Sequence, residues 1–163
     1  MLNSKLLIIV AIIIVLLVIL YFTGKKSVHS EIIINRTSEE VWSVLINTDQ
    51  YQDWNPVMKL IEGEIQEGNT VKYQFSQDKE NSSEIPSKVK KIIKNKLLNQ
   101  GGGMPFVLTF DHKYILESLD SKTKVTIHED YTGIWVNFWN PKPVGKAYEN
   151  LNKALKSRVE SLN

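Results

Sequence analysis

The chain has 163 residues, a formal net charge of +2, 42% hydrophobic residues and no cysteine. That length suits one domain plus an appendage, and so small a charge, without an Arg-rich helix, gives no sign of a nucleic-acid partner. The missing cysteines exclude disulfides, thiolate catalysis, Cys-based zinc sites and a lipidated-Cys anchor.

Leu6 to Phe22 contains no charged or amide side chain. As a helix it covers about 25 Å, near the lower limit for a hydrocarbon core of roughly 30 Å. Tyr21 and Phe22 close the run, Thr23 and Gly24 can lengthen it, and Lys25 and Lys26 can snorkel to headgroups. The competing reading is a cleaved signal peptide, whose apolar region usually runs about 7–15 residues. Here the run is longer, and Val28-His29-Ser30 is a poor cleavage site set too far downstream. The expectation is a membrane protein with a single span. Residues 1–27 form the anchor and a short tether, bilayer contact runs through residues 6–22, and residues 28–163 form the soluble domain. Lys5 and the α-amine lie on one side and Lys25 and Lys26 on the other, so the positive-inside count barely breaks the tie and the side holding the domain stays open.

The domain opens with Val28 to Asn35, apolar and β-branched, which reads as a strand. Thr37 and Glu40 have the spacing of a capping box, and Val41, Trp42, Leu45 and Ile46 continue with helical spacing to about Asn47. A second short helix from Asp49, carrying Tyr51 and Trp54, must end at Pro56. Strands follow at Val57 to Ile65 and Thr70 to Gln77, around Gly63 and Gly68, which suit positive φ. Ile85 to Lys94 is another strand, Asn95-Lys96 a turn, and Leu97 to Gln100 a short strand. Gly101-Gly102-Gly103 reads as a flexible break before Pro105. Phe106 to Leu116 and Thr123 to Trp135 are the longest strands, joined at Leu119 to Lys122. After Pro141 and Pro143, Val144, Tyr148, Leu151, Leu155, Val159 and Leu162 form the stripe of a long amphipathic helix. The fold class is α+β: a strand, two helices, six antiparallel strands, and a last helix that covers their apolar face.

Several stretches resemble the START-like (SRPBCC) superfamily with its helix-grip fold, and more narrowly its polyketide cyclase/dehydrase-type members. They are the entry Ile32 to Trp42, the bend Tyr51-Gln52-Asp53-Trp54-Asn55-Pro56, the two-glycine hairpin Ile61 to Gly68, the strand Pro105 to Leu116 with His112 and Tyr114, the strand Thr126 to Gly133, and the closing helix Asn152 to Glu160. Asn99 and Gln100 depart from the pattern, since relatives often carry a Trp after the position of Leu98. The resemblance implies a Bet v 1-like curved sheet gripping a long helix around an apolar cavity. It does not imply one function, because members range from lipid and hormone binders to cyclases.

Strand parity gives the most local prediction. Phe110, His112, Tyr114 and Leu116 share one face, as do Val125, Ile127, Glu129 and Tyr131. A turn centred on Asp120-Ser121 pairs Leu116 with Val125, Tyr114 with Ile127, His112 with Glu129 and Phe110 with Tyr131. A slip of one residue would bury Asp111 and Lys113. His112 and Glu129 are thus the candidate polar pair on an apolar wall. They either orient or protonate a ligand oxygen or satisfy one another. No nucleophile accompanies them, so no catalytic residue is assigned beyond these two candidates. The histidines lack metal-ligand spacing, and no metal or cofactor is expected.

Trp135, Phe138 and Trp139 fall where relatives open their cavity. They can line the mouth, dip into the headgroup layer, or cover the last helix. Lys88, Lys90, Lys91, Lys94 and Lys96 form a basic run, read as the solvated face of an outer strand or as a contact for anionic lipid. The expected ligand-binding set is Phe110, His112, Tyr114, Glu129, Tyr131, Trp135, Tyr148 and Leu151. The expected activity is membrane-anchored binding of a hydrophobic small molecule or lipid. The alternatives are a cyclase/dehydrase-like enzyme using the His–Glu pair, and an interaction or stress-response module with a vestigial cavity.

Overall fold

A computed structural model describes residues 4–77 and 80–162, which leaves the terminal amine invoked for orientation outside the described residues. Ser4–Thr23 forms helix α1, 20 residues with none buried. It is long and apolar enough to cross a membrane, spanning about 30 Å. Only Gly24 separates it from strand β1, Lys25–Ile34. The strand starts three residues before the expected Val28 because Lys25 and Lys26 already pair with Thr132 and Tyr131. The expected tether is therefore a single glycine.

Helix α2, Ser38–Ile46, begins with the expected capping box: Thr37 accepts from the Glu40 amide, and Glu40 accepts from the Thr37 amide at 2.8 Å. Two of the helix's orphan donors are satisfied this way. A 3-10 turn at Thr48–Gln50 leads into the short helix α3, Tyr51–Trp54. Its chain then bends at Asn55, whose side-chain oxygen accepts from the amides of Val57 and Met58 at 3.0 and 2.8 Å.

Six strands follow: β2 Met58–Glu62, β3 Thr70–Ser76, β4 Ser82–Ile93, β5 Leu97–Met104, β6 Leu108–Leu119 and β7 Lys122–Thr132. With β1 they form one antiparallel sheet in the order β1-β7-β6-β5-β4-β3-β2. Gly63 and Gly68 both take positive φ beside the β2–β3 connection. The β6–β7 register is the one read from parity, with His112 opposite Glu129 and Phe110 opposite Tyr131. A 3-10 turn at Ile134–Asn137 leads to helix α4, Lys142–Glu160. Val144, Tyr148, Leu151, Leu155 and Val159 of α4 are each at most 3% exposed. Each such burial is worth about 1.5–3 kcal/mol.

Four expectations need correction. The triple glycine lies inside β5, as Gly101, Gly102 and Gly103 pair with Asp111, Phe110 and Thr109. A methyl group on Gly102 would sit 2.5 Å from the Pro86 carbonyl oxygen and 3.1 Å from the Phe110 ring, so close approach of neighbours explains that glycine. Strand β7 ends at Thr132, not Trp135, because Gly133 at φ +129 turns the chain out of the sheet. Phe106 at φ +66 belongs to the turn before β6. Lys88, Lys90 and Lys91 are exposed as expected, but β4 lies between β3 and β5, not at an edge.

Candidate functional site

Between the inner face of the sheet and the first turns of α4 lies a cavity of about 510 Å³. Small-molecule sites usually fall between about 300 and 1,000 Å³. Its apolar walls come from several elements: Met58 of β2, Phe75 of β3, Met104 of β5, Phe110 of β6 and Val144 of α4. The strands put these side chains on one face by their period of two. Pro86 of β4 and Trp139 of the loop before α4 complete the wall.

A cluster of buried polar groups sits in this wall. His112 is 2% exposed and Glu129 4%. Their register on adjacent strands brings His112 Nδ1 to 3.3 Å from Glu129 Oε2. From the opposite layer, the Tyr148 hydroxyl donates to the same carboxylate oxygen. Tyr131, two residues along β7, is buried beside them and packs against Trp139 with ring centroids 4.6 Å apart and planes tilted by 59°. Burial first, and then the charge of Glu129, pushes the Tyr131 and Tyr148 hydroxyls above the ordinary phenol range. Both therefore stay protonated donors. His112 Nε2 is buried and has no hydrogen-bond partner among the described residues.

A hydrogen bond from Nδ1–H to Glu129 leaves Nε2 of neutral His112 as an acceptor, while a protonated ring makes it a donor. Either state can fix one polar group of an otherwise apolar ligand. A second polar point is Gln100, 2% exposed, whose amide donates to the Tyr73 hydroxyl at 2.9 Å. Burial pushes the Tyr73 hydroxyl up to about 12, against the opposing effect of the Gln100 bond. Among the described residues, no group of three or more His, Asp or Glu side chains is placed to hold a metal ion.

Of the residues expected at the site, Phe110, His112, Glu129, Tyr131 and Tyr148 line the cavity together. Tyr114 does not line it. It packs behind His112, ring centroids 4.7 Å apart, and its hydroxyl points to Met58 Sδ at 3.6 Å. Leu151 is core, 1% exposed, because α4 has by then moved past the hollow onto the sheet. Trp135 is 57% exposed and faces outward, since the 3-10 turn after Gly133 breaks the strand alternation that would have aimed it inward.

Sequence reasoning missed Met58, Tyr73, Phe75, Pro86, Met104 and Val144. Gln100 had a usable signal: it shares parity with buried Leu98 and lies in the departure from the family pattern. For Tyr73 and Phe75, inward parity with Val71 was visible, but nothing distinguished a cavity wall from filled core; Pro86 shares parity with the exposed Lys88 and Lys90, Met104 follows the glycine run, and Val144 lies on a helix.

No family model matches the chain, and neither does any curated protein. Solved structures do match. A START superfamily protein from Mycobacterium smegmatis aligns with a TM-score of 0.67 at 18% identity, over 84% of this chain and 99% of its own. Zhui aromatase/cyclase from Streptomyces sp. R1128 aligns with a TM-score of 0.61 at 15% identity, over 83% and 94%. Ara h 8.0201 gives 0.64 at 14% identity, over 85% and 100%. The chain has the START-like helix-grip fold, preceded by one apolar helix.

Proposed function

We propose that this START-like chain binds a hydrophobic small molecule or lipid in its cavity while α1 holds it at a membrane. The supporting observation is the cavity itself: about 510 Å³ of mainly apolar wall, with His112, Glu129, Tyr131 and Tyr148 gathered at one polar point. Apolar volume supplies affinity, and a few placed polar groups supply orientation. Anchoring suits a poorly soluble ligand, since it concentrates the binding domain beside a lipid reservoir. A vestigial cavity would be filled by side chains or too small for a ligand, and this volume speaks against it.

The test is native mass spectrometry of the full chain, extracted from membranes in mild detergent. The expected result is a discrete co-purifying mass that is lost in Val144→Trp, a variant that fills the cavity. A chain that carries no adduct, and takes up none from added total lipid extract, would refute binding.

A second reading, an acid/base enzyme of the cyclase or dehydrase kind, is favoured by the unpartnered His112 Nε2 backed by Glu129. His112→Ala separates the two. Retained adduct with loss of any turnover supports the enzyme, and loss of the adduct supports binding alone.

A further inference from the structure

Five exposed large apolar side chains outside α1 gather on two short segments: Met104, Phe106 and Val107 on one, Trp135 and Phe138 on the other. The segments are joined through their backbones, Ile134 N donating to Phe106 O at 2.9 Å and Trp135 N to Val107 O at 3.0 Å. They lie at the end of the sheet where α1 enters, because Lys25 pairs with Thr132, Thr132 with Thr109, and Thr109 with Gly103. The Tyr21 ring of α1 sits 5.6 Å from that of Phe106. Phe106 is therefore level with the last apolar turn of the helix.

The helix is also fastened to this end. Asn137 donates to Leu20 O at 2.7 Å and accepts from the Thr23 hydroxyl at 3.0 Å. Gly133 N donates to Gly24 O at 3.0 Å. A methyl on Gly24 would lie 2.0 Å from Gly133 O, so only glycine fits there. Helix ends normally leave their last carbonyls to water or a cap, and here the domain supplies part of the cap. Leu20, Thr23 and Gly24 would not all survive removal of α1 as a leader. Met104, finally, belongs both to the exposed rim and to the cavity wall, and its neighbour Leu108 and, beside Phe138, Trp139, both partly buried, line that wall as well.

We infer that this rim is a membrane-docking surface: the α1 junction holds the cavity mouth in the interfacial layer of the bilayer, so ligand passes between leaflet and cavity without crossing water. This rests on the ligand-binding reading for its cargo, though not for the docking geometry. Continuity with α1 identifies the occupant of the rim as lipid. Aromatic side chains favour the headgroup boundary, and apolar surface leaving water gains about 25 cal/mol per Å².

The chain contains no cysteine, so single environment-sensitive fluorophores can be placed at Phe106→Cys, Phe138→Cys or, at the far β6–β7 turn, Ser121→Cys. The full chain is reconstituted in phosphatidylcholine–phosphatidylglycerol vesicles carrying a quencher just below the headgroups. Expected is several-fold stronger quenching at 106 and 138 than at 121. Phe138→Cys carries the test should the positive-φ turn at 106 not tolerate change. A six-residue Gly-Ser insertion between Gly24 and Lys25 should abolish the difference while the anchor stays in the vesicle.

Equal quenching at all three positions overturns the inference, as does full quenching after the insertion. So does a membrane-isolated chain whose intact mass lacks the residues before Lys25. Unquenched labels with a retained lipid adduct sink the docking geometry and leave ligand binding standing. Immersed labels without an adduct support the docking and sink the ligand reading.

Discussion

Tyr148→Phe removes one hydroxyl and almost no volume, so it isolates the polar point of the cavity. Tyr148 is 2% exposed and donates to Glu129, itself 4% exposed. Without that donor, the same carboxylate oxygen keeps His112 Nδ1 at 3.3 Å, slightly beyond the usual range of about 2.7–3.2 Å. A hydrogen bond to a charged group contributes about 1.5–3 kcal/mol, and no cavity term adds to it because the ring remains. The expected loss is about 2 kcal/mol, which lowers Tm by roughly 6–10 °C for a domain of this size. Thermal unfolding of the full chain in detergent, followed by near-ultraviolet circular dichroism, measures it. A fall under about 0.5 kcal/mol, the level of an ordinary surface change, would show that Glu129 is solvated and that the polar point is not a dry one.

Leu155→Ala should cost about 2–5 kcal/mol, since Leu155 is fully buried in α4, while Leu162→Ala at 40% exposure should stay within about 0.5 kcal/mol; paired denaturant titrations compare them. Asp111→Asn should reduce the loss of stability in acid. Partial burial pushes the Asp111 carboxyl up, but hydrogen bonds from Lys113, Lys90 and Asn99 outweigh it and bring it from 3.8 to about 2. A depressed carboxylate stabilises the fold above its unfolded value and loses that contribution as pH falls through its folded one. The variant's stability should thus change less between pH 4 and 2, by about 1 kcal/mol after allowing for solvent screening; an unchanged acid slope would count against the pairing.

Much of the scaffold was legible because local chemistry decided it. The capping box at Thr37 and Glu40 depends on three-residue spacing alone. The β6–β7 register follows from a short turn and a strict alternation that leaves Asp111 and Lys113 outside. Other positions were misread for physical reasons. Three glycines in a row look like a break, yet β5 uses Gly102 where Pro86 and Phe110 crowd the backbone. Trp135 reads as the end of an inward-facing strand face until Gly133 turns the chain away.

Sequence alone determined the apolar helix, the order of elements and the facing of His112 and Glu129, since each rests on patterns within one segment or one hairpin, while the helix-grip arrangement came from resemblance to a known family. Only the tertiary structure decided that Tyr148 meets Glu129, that Leu151 is core while Met58 and Met104 are wall, and that α1 is fastened through Asn137. Those contacts join segments up to more than a hundred residues apart. Whether an inward side chain faces a hollow or a neighbour depends on how far α4 stands from the sheet, a distance that no local pattern encodes.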